Sequence, residues 1–393
     1  MKEPTILVVI PYGFNDRLIN FPEFTLSRLL AKRGWHVLGL TRCEAEESAH
    51  GTIFGIDVYR YRNVPDGTLH LLWTLLTKRP DIVHVHMLRN NRVGVAAAML
   101  AKLFRIPLAF SEAGLLHDHY LVDDRDDPLG KPVHYERVAR HFDLKNIRSY
   151  FFHWPLTHAD EAVFYSKHNV PIAERLGLHA RYIPLIVDDA RRMSSGAGHE
   201  KNRALPQEPF GLFVGQMKER KGWDVLLHAI ALIPREIVSK FVFISSSSTT
   251  ETEGFAALVG SLRLRDRVQF LGRASNAELQ AAYEHSSLVV VPSRYEGFGL
   301  VPLEAFEVGR PVVASRVEAL TDYLAHEENA LLVPPNDPKA LAANIQRLFD
   351  DEALRERIVR GGRKTRADME SAAHAKEWMD FFQNIVAKRL ATR

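Results

Sequence analysis

The feature that most constrains the fold is an alternation of short apolar runs with segments of helical periodicity, which occurs twice along the chain. In the first half, apolar runs at residues 5–10, 36–41 and 81–86 alternate with helical segments near residues 24–32 and 94–104. Short buried strands that alternate with helices are typical of a mostly parallel sheet with helices on both faces. The sequence therefore predicts an α/β fold with doubly wound sheets.

The alternation stops near residue 188 and begins again at residue 209. Between these points the chain is rich in Ser, Gly, Pro and charged residues and has no usable periodicity, which is typical of a linker. We therefore expect an N-terminal Rossmann-like domain over residues 1–187, a linker over 188–208 and a C-terminal Rossmann-like domain over 209–373.

Composition excludes several classes of protein. The 393 residues include 51 Lys+Arg against 48 Asp+Glu, and a net charge of +3 is far from the basic footprint of a nucleic-acid-binding protein. No window holds 18 consecutive apolar residues, and the N-terminal apolar run is too short for a secretory signal. The single cysteine, Cys43, provides neither a disulfide nor a thiolate cluster. We expect a cytoplasmic protein without a nucleic-acid partner.

Two common nucleotide-binding motifs are missing from the sequence. Neither half has G-x-G-x-x-G after its first strand, and G-x-x-x-x-G-K-[ST] does not occur, which argues against a dinucleotide dehydrogenase and a P-loop NTPase. Residues 361–365 (GGRKT) look superficially like a phosphate loop but lie in a helical pattern. Since ligands bind at the carboxyl ends of strands in open α/β sheets, two facing sheets predict a site in the cleft between them.

Residues 291–309 are the most informative segment of the second half. A buried strand ends at a Pro-Ser pair, a loop with Gly297 and Gly299 follows, and a helix begins near Leu300. The unpaired amides of a helix start favour an anion, and glycines allow a phosphate to approach the backbone. Glu296 and Glu304 are suited to binding hydroxyl groups beside it. These residue types indicate a ligand that carries both phosphates and sugar hydroxyls.

A second source of positive charge is the loop over residues 215–222, GQMKERKG, which follows the first strand of the second half. Lys218, Arg220 and Lys221 crowd at this strand-to-helix turn, and we expect one or more of them to face a diphosphate. The alternative interpretation is a solvated basic turn.

Residues 296–304 read EGFGLVPLE, with seven residues between Glu296 and Glu304. This spacing resembles the E-x7-E element of the retaining, family 4 type nucleotide-sugar glycosyltransferases of the GT-B fold, also described as glycosyl transferases group 1. The resemblance covers nearly the whole second half, including FVGQMKERKGWDVLLHAI and RVQFLGRASNAELQAAY. In the first half it is thinner and depends on DIVHVH, RIPLAFSEAG and IPLIVD.

The resemblance implies a role for each matching residue. Glu304 would bind the donor ribose, Glu296 would contact the transferred sugar and support its developing positive charge, and Lys221 would stabilise the leaving diphosphate. Glu296 and Lys221 are therefore the predicted catalytic residues. The other donor-binding residues that we carry across are Gly13, Gly215, Gln216, Arg220, Arg273, Gly297, Phe298, Gly299 and Leu300.

The resemblance also implies a reaction and its partners. The donor would be a nucleoside-diphosphate sugar, most readily UDP- or GDP-linked, and a hexose would pass with retention to a hydroxyl of a small molecule, a glycan or a lipid-linked acceptor, as in polysaccharide or glycoconjugate biosynthesis. No metal or other cofactor is expected. The first domain would shape the acceptor site, with Glu112, His117 and His119 as candidates, and the last helix, residues 374–393, would pack back on that domain.

Two positions depart from the family pattern. Gln216 stands where an arginine is common, and Ala113 stands where a histidine is common. These departures leave two alternatives open. One is a GT-B relative that does not transfer sugar to an acceptor, such as a nucleotide-sugar epimerase or a phosphorylase. The other is a catalytically silent nucleotide-sugar-binding protein.

Three further segments have two interpretations each. Acidic residues in VDDRDDP, residues 122–128, could bind a metal or an acceptor or form a solvated loop. His84 and His86 alternate on one face of a strand, which suits metal ligation, but no third ligand is evident and packing is the simpler interpretation. Residues 137–154 mix basic and aromatic side chains, which suits either peripheral contact with the inner face of a membrane or a half-buried helix.

Overall fold

The computed structural model describes residues 3–11, 14, 22–43, 48–86, 91–112, 116–117, 120–123, 134–145, 147–186, 205–247, 249–369 and 372–391. The chain divides into two compact units. The first contains Met1–Leu121, Glu136–Met193 and Met369–Arg393, and the second contains Val122–Tyr135 and Ser194–Asp368. Most of the linker expected over residues 188–208 lies outside the described residues.

The first unit is built on an eight-stranded sheet with the order β11-β10-β6-β5-β1-β2-β4-β3. All neighbouring strands are parallel except β3 and β4. Strands β7, β8 and β9 form a small separate sheet, of which the segment Val122–Tyr135 belongs to the second unit. The strands are β1 (Thr5–Val9), β2 (His36–Arg42), β3 (His50–Ile53), β4 (Ile56–Tyr61), β5 (Ile82–His86), β6 (Leu108–Glu112), β7 (Leu116–His117), β8 (Tyr120–Asp123), β9 (His134–Arg137), β10 (Glu161–Phe164) and β11 (Ala180–Tyr182).

Five helices follow strands of the first unit: α1 (Pro22–Lys32), α2 (Val64–Thr77), α3 (Arg92–Leu103), α4 (Ile147–Thr157) and α5 (Asn169–Arg175). Helix α3 begins at a side-chain cap, because Asn91 accepts a hydrogen bond from the Gly94 amide at 2.7 Å. The Asn91 amide group also donates to the carbonyl of His86 at 2.9 Å. The cap therefore fixes the start of α3 against the end of β5.

The second unit is built on a six-stranded parallel sheet with the order β14-β13-β12-β15-β16-β17. Its strands are β12 (Phe210–Val214), β13 (Lys240–Ile244), β14 (Val268–Gly272), β15 (Leu288–Val291), β16 (Val312–Ser315) and β17 (Leu331–Val333). Its helices are α6 (Trp223–Leu232), α7 (Thr249–Ser261), α8 (Asn276–His285), α9 (Val301–Glu307), α10 (Glu318–Thr321), α11 (Pro338–Asp350) and α12 (Glu352–Met369), with a 3-10 turn at Glu219–Lys221.

The last helix, α13 (Ala372–Ala391), packs within the first unit although it follows the second along the chain. The indole Nε1 of Trp378 donates to the carbonyl of Pro184 at 3.1 Å. The rings of Phe382 and His84 lie with their centroids 5.3 Å apart, so α13 covers a buried part of the first sheet.

The doubly wound architecture expected from the sequence is confirmed. The Ser/Thr run over residues 245–250 has a composition typical of a loop, but its last two residues, Thr249 and Thr250, begin α7. Tertiary packing of Phe255 and Val259 in the second core overrides the weak helix propensity of that start. Residues 361–365 lie inside α12, as the helical pattern predicts. Among the helices the structure describes, none has the length and apolar character needed to cross a bilayer.

Candidate active site

The candidate site lies where the strand order of the second sheet changes direction. Strand β12 pairs with β13 on one side and with β15 on the other, and the loops that leave β12 and β15 emerge at the same carboxyl edge. Such a switch point is where open α/β sheets bind ligands. The loop of residues 215–222 and the loop of residues 292–300 therefore meet at one place.

Glu296 is the centre of this site. Its side chain is buried, and its Oε1 accepts hydrogen bonds from Lys221 Nζ at 2.6 Å and from Ser293 Oγ at 2.7 Å. Arg220 Nη1 lies 3.7 Å from the other carboxylate oxygen. The side chains of Arg220 and Lys221 are only 20% and 16% exposed, so the solvated-turn interpretation is wrong for these two residues.

The cationic neighbours of Glu296 keep its carboxyl group ionised. Burial alone would raise the pKa of this carboxyl, but the charges of Lys221 and Arg220 and the hydrogen bonds from Lys221 and Ser293 outweigh it and lower the pKa below its ordinary value. The site therefore presents a buried carboxylate that stays ionised near neutral pH. The sequence predicts that Glu296 binds hydroxyls, and in the structure its partners are the two cations and the hydroxyl of Ser293.

Two features hold the loops in register. Gly222 has φ +63°, and a Cβ on it would lie 1.9 Å from the carbonyl oxygen of Pro292, so only glycine allows this approach. Arg294 binds the start of α6, since it donates to both carboxylate oxygens of Asp224 at 2.8 and 2.7 Å. The Arg294 amide also donates to the carbonyl of Arg220 at 2.7 Å.

Glu304 lies in the first turn of α9 and is half-buried. The hydroxyl of Tyr283, which comes from α8, donates to its carboxylate. This contact orients Glu304 from a different helix. Helix α9 has seven residues, and Leu300 is its N-cap residue.

The glycine-rich part of the loop is braced by Tyr323. Its hydroxyl donates to the carbonyl of Gly299, and its ring stacks on Phe298 with centroids 5.5 Å apart. Burial and the nearby charges of Glu296 and Glu304 raise the pKa of Tyr323 well above its ordinary value, so it remains a donor. Gly299 has φ +85°, a left-handed conformation that glycine adopts without strain.

The remaining donor candidates are placed as follows. The Gly215 amide donates to the carbonyl of Ile244 at 3.0 Å, directly after β12, and Gln216 is exposed beside it. Arg273 is exposed directly after β14, and Gly297 is partly buried next to Glu296. Gly13 lies outside the described residues.

The acceptor candidates belong to the first unit. Glu112 is buried at the end of β6. The backbone of His117 forms part of β7, and its side chain lies outside the described residues, as does His119. Among the acidic residues of the VDDRDDP segment, Asp123 ends β8 and the others lie outside the described residues.

His84 and His86 are packing residues joined by a hydrogen-bonded serine. Ser111 Oγ lies 2.8 Å from His84 Nε2 and 2.5 Å from His86 Nδ1. Burial, together with the neighbouring His86, lowers the pKa of His84 to about 3, so His84 is neutral. No group of three or more His, Cys, Asp or Glu side chains in the described part of the chain is arranged to hold a metal ion.

The basic and aromatic segment around α4 has an exposed apolar patch. Four of its side chains, which we call the α4 patch, are exposed: Phe142, Leu144, Ile147 and Phe151. Exposed cations surround them: Arg137, Arg140, Lys145 and Arg148. The inner face of α4 is buried at His153 and Leu156, so the half-buried helix is correct for α4 itself while the patch faces outward.

Sequence reasoning missed several residues that shape the site: Tyr283, Ser293, Arg294 and Tyr323. Ser293 and Arg294 stand in the informative segment, and their position directly after a buried strand was the available signal. Tyr283 and Tyr323 come from other helices or turns and have no local signal, because only the tertiary fold brings them to Glu304 and Gly299.

Comparison with known proteins agrees with this arrangement. The family model described as "Glycosyl transferases group 1" matches residues 197–365, and that of "Glycosyl transferase 4-like domain" matches residues 25–166. A D-inositol 3-phosphate glycosyltransferase from Salinispora tropica is 27% identical over 317 residues, which cover 78% of this chain and 64% of the relative. Across eight curated relatives, the matched segment spans 39% to 67% of the relative's length.

Solved structures show the same fold. Sucrose-phosphate synthase from Thermosynechococcus elongatus superimposes with a TM-score of 0.76 at 22% identity, covering 98% of this chain and 100% of that chain. Anabaena HepE, solved in complex with UDP-glucose, gives a TM-score of 0.67 at 17% identity, with coverages of 99% and 100%. The two matched regions occupy both units, and the chain therefore belongs to the glycosyl transferases group 1, the family 4 type of glycosyltransferases with the GT-B fold.

Proposed function

We propose that this glycosyltransferase moves a hexose, with retention, from a UDP- or GDP-linked donor to an acceptor hydroxyl. The observation that carries the proposal is the buried, ionised Glu296 between Lys221 and Arg220 at the switch point of the second sheet. A donor needs both signs of charge at one place, because its diphosphate is anionic and its sugar becomes cationic as the glycosidic bond opens.

The reaction breaks the bond between the anomeric carbon and a diphosphate oxygen and forms a bond from that carbon to the acceptor oxygen. The leaving diphosphate gains negative charge, which Lys221 and Arg220, the cations beside Glu296, would stabilise. The sugar passes through an oxocarbenium-like state, whose positive charge the carboxylate of Glu296 would support. The Lys221–Glu296 pair would thus serve both charges that develop.

Glu304 is proposed to bind the ribose of the nucleotide. Its half-buried carboxylate, held by Tyr283, is an acceptor group of the kind that binds adjacent sugar hydroxyls. The complex of Anabaena HepE with UDP-glucose supports a uridine donor in this fold. We further propose that the two cations do the work of a metal, so that EDTA leaves turnover unchanged.

The acceptor is proposed to be a sugar, a glycan or a lipid-linked glycan. The α4 patch supports contact with the inner, anionic face of a membrane, since Phe142 and Leu144 are 57% and 79% exposed and exposed arginines surround them. Sedimentation with phosphatidylglycerol vesicles tests this contact. Replacing Phe142 and Leu144 by serine should abolish co-sedimentation, whereas Leu232→Ser, an exposed apolar residue of α6, should not.

The donor proposal is tested by a thermal-shift screen against UDP, GDP, ADP, dTDP and their sugar conjugates, followed by an assay of nucleoside-diphosphate release. Release that depends on acceptor supports transfer, whereas conversion of the donor without acceptor supports an epimerase. A shift without any turnover supports a silent binding protein.

The Glu296→Gln variant tests whether the negative charge of this carboxylate is needed for transfer. We expect it to lower kcat by roughly 100-fold or more while it binds nucleotide nearly as well as the wild type. Glu318→Gln is the matched control, because Glu318 is exposed at the start of α10. Turnover by Glu296→Gln at the wild-type rate would contradict the role given to this carboxylate.

A further inference from the structure

A second cavity lies at the opposite edge of the same sheet. It has a volume of about 600 Å³, and its lining includes Pro209, Ser287 and Pro311. These three residues directly precede β12, β15 and β16, so they mark the amino ends of the strands. The candidate active site uses the carboxyl ends of β12 and β15, and strands of four or five residues separate the two edges by about 15 Å. The cavity is therefore a distinct place on the second unit.

The cavity is strongly cationic. Four arginines line it: Arg310, Arg355, Arg360 and Arg363. Among the lining residues Glu356 is the one carboxylate, and it pairs with Arg360 at 3.4 Å. Guanidinium groups bind phosphate by paired, parallel hydrogen bonds, and four of them around one hollow favour an anion over a neutral ligand.

Two of these arginines are held by carbonyl groups of the backbone, and a third lies against a glycine. Arg310 donates through Nη2 to the carbonyl of Glu284, and its Nε is buried without a hydrogen-bond partner among the described residues. Arg355 donates to the carbonyl of Leu348 at 3.0 Å. The Arg363 guanidinium lies directly over Gly309, where a Cβ would come within 2.5 Å of it.

The rest of the lining is apolar. Leu348, Phe349 and Val359 form one wall, with the two prolines at the strand ends. A cavity of this volume accommodates a molecule of nucleotide or sugar-phosphate size, since small-molecule sites occupy roughly 300–1,000 Å³. The apolar wall can pack against the uncharged part of such a molecule, and the arginines can bind its phosphate.

We propose that this cavity binds a small phosphorylated metabolite at a site separate from the donor site. The ligand class is a phosphate or diphosphate ester whose anionic group is held by Arg360 and Arg363 and whose body lies against Phe349. The inference does not depend on the donor assignment, because the cavity shares no residue with the Glu296 cluster.

Isothermal titration with inorganic pyrophosphate at 0.15 M salt tests the proposal. The variant Arg360→Gln/Arg363→Gln removes two lining cations, both of which are exposed, so little loss of fold is expected. We expect it to weaken pyrophosphate binding at least tenfold and to leave the affinity for UDP within twofold of wild type. In Lys221→Met, which alters the donor loop, the pyrophosphate binding that depends on Arg360 and Arg363 should persist.

The matched control is Arg347→Gln/Arg357→Gln, which removes the same charge from α11 and α12 outside the cavity lining. Both of these arginines pair with Glu327. An equal loss of pyrophosphate binding in the control would show that only net charge matters and would overturn the proposal. Unchanged binding in Arg360→Gln/Arg363→Gln would overturn it as well, as would the absence of pyrophosphate binding in Lys221→Met.

Discussion

The Lys221–Glu296 pair offers a quantitative test of how the candidate site is built. At the observed 2.6 Å, with an effective dielectric constant of about 20, the attraction between the two charges is about 6 kcal/mol. Removing both groups from water costs several kcal/mol, so the net contribution is much smaller. Removal of Lys221 or Glu296 alone leaves the charge of the other residue without its main partner.

A double-mutant cycle isolates this coupling. Lys221→Met leaves Glu296 with Arg220 at 3.7 Å, and we expect the free energy of unfolding to fall by about 3 kcal/mol. Glu296→Gln should cost about 2 kcal/mol, because Lys221 and Arg220 are partly exposed and can turn toward water. The double variant should lose about 3 kcal/mol, which gives a coupling energy of about 2 kcal/mol.

The measurement is urea unfolding followed by far-ultraviolet circular dichroism on the four proteins of the cycle. The control pair is Lys102 and Asp160, whose side chains are 35% and 44% exposed. Lys102→Met should change the free energy of unfolding by less than about 1 kcal/mol. If Lys221→Met and Glu296→Gln are additive within about 0.5 kcal/mol, the two charges do not stabilise each other and the electrostatic account of the site is refuted.

Three further predictions concern the donor loop, the nucleotide and pH. Gly222→Ala should lower the free energy of unfolding by more than about 2 kcal/mol in urea unfolding, since it adds left-handed strain to a clash with Pro292. Gly260→Ala should not, because a Cβ there would make only ordinary contact with Arg265 at 3.7 Å. Glu304→Gln should weaken UDP binding roughly tenfold in calorimetry and leave the melting temperature nearly unchanged; unaltered affinity would contradict a ribose contact. Burial lowers the pKa of His84 from 6.5 to about 3, so between these pH values the unfolded chain binds a proton that the folded chain does not. The free energy of unfolding should therefore fall as the pH is lowered from 6.5 to 3. His84→Asn should make this fall less steep, and an equally steep fall in the variant would refute the prediction.

The fold was largely predictable because its signal is local. The apolar runs at residues 210–214 and 288–291 and the helical pattern at residues 276–285, which the sequence alone shows, coincide with β12, β15 and α8 residue for residue. Helix α8 also has a complete capping box between Ser275 and Glu278, which fixes its start. Helix α7 has no comparable local signal, because its first turn consists of Thr and Glu and its apolar residues Phe255 and Val259 pack in the core of the second unit.

The sequence predicts the main charged residues of the candidate site but not the side chains that hold them. Glu296 and Lys221 lie between a strand and the helix that follows it, and Glu304 lies in the first turn of such a helix. The strand pattern therefore predicts that all three are at one edge of the sheet. Their partners could not be predicted in this way. Tyr283 and Tyr323 contact the site through tertiary packing, and the pairing of Lys221 with Glu296 joins residues 75 positions apart.

The placement of α13 has a consequence for how the protein is made. Trp378 and Phe382 cover His84, yet they are synthesised almost 300 residues later, after the whole second unit. While the ribosome translates the second half, the part of the first unit that α13 covers in the finished protein lacks this helix. The first unit to be synthesised is therefore the last to be completed.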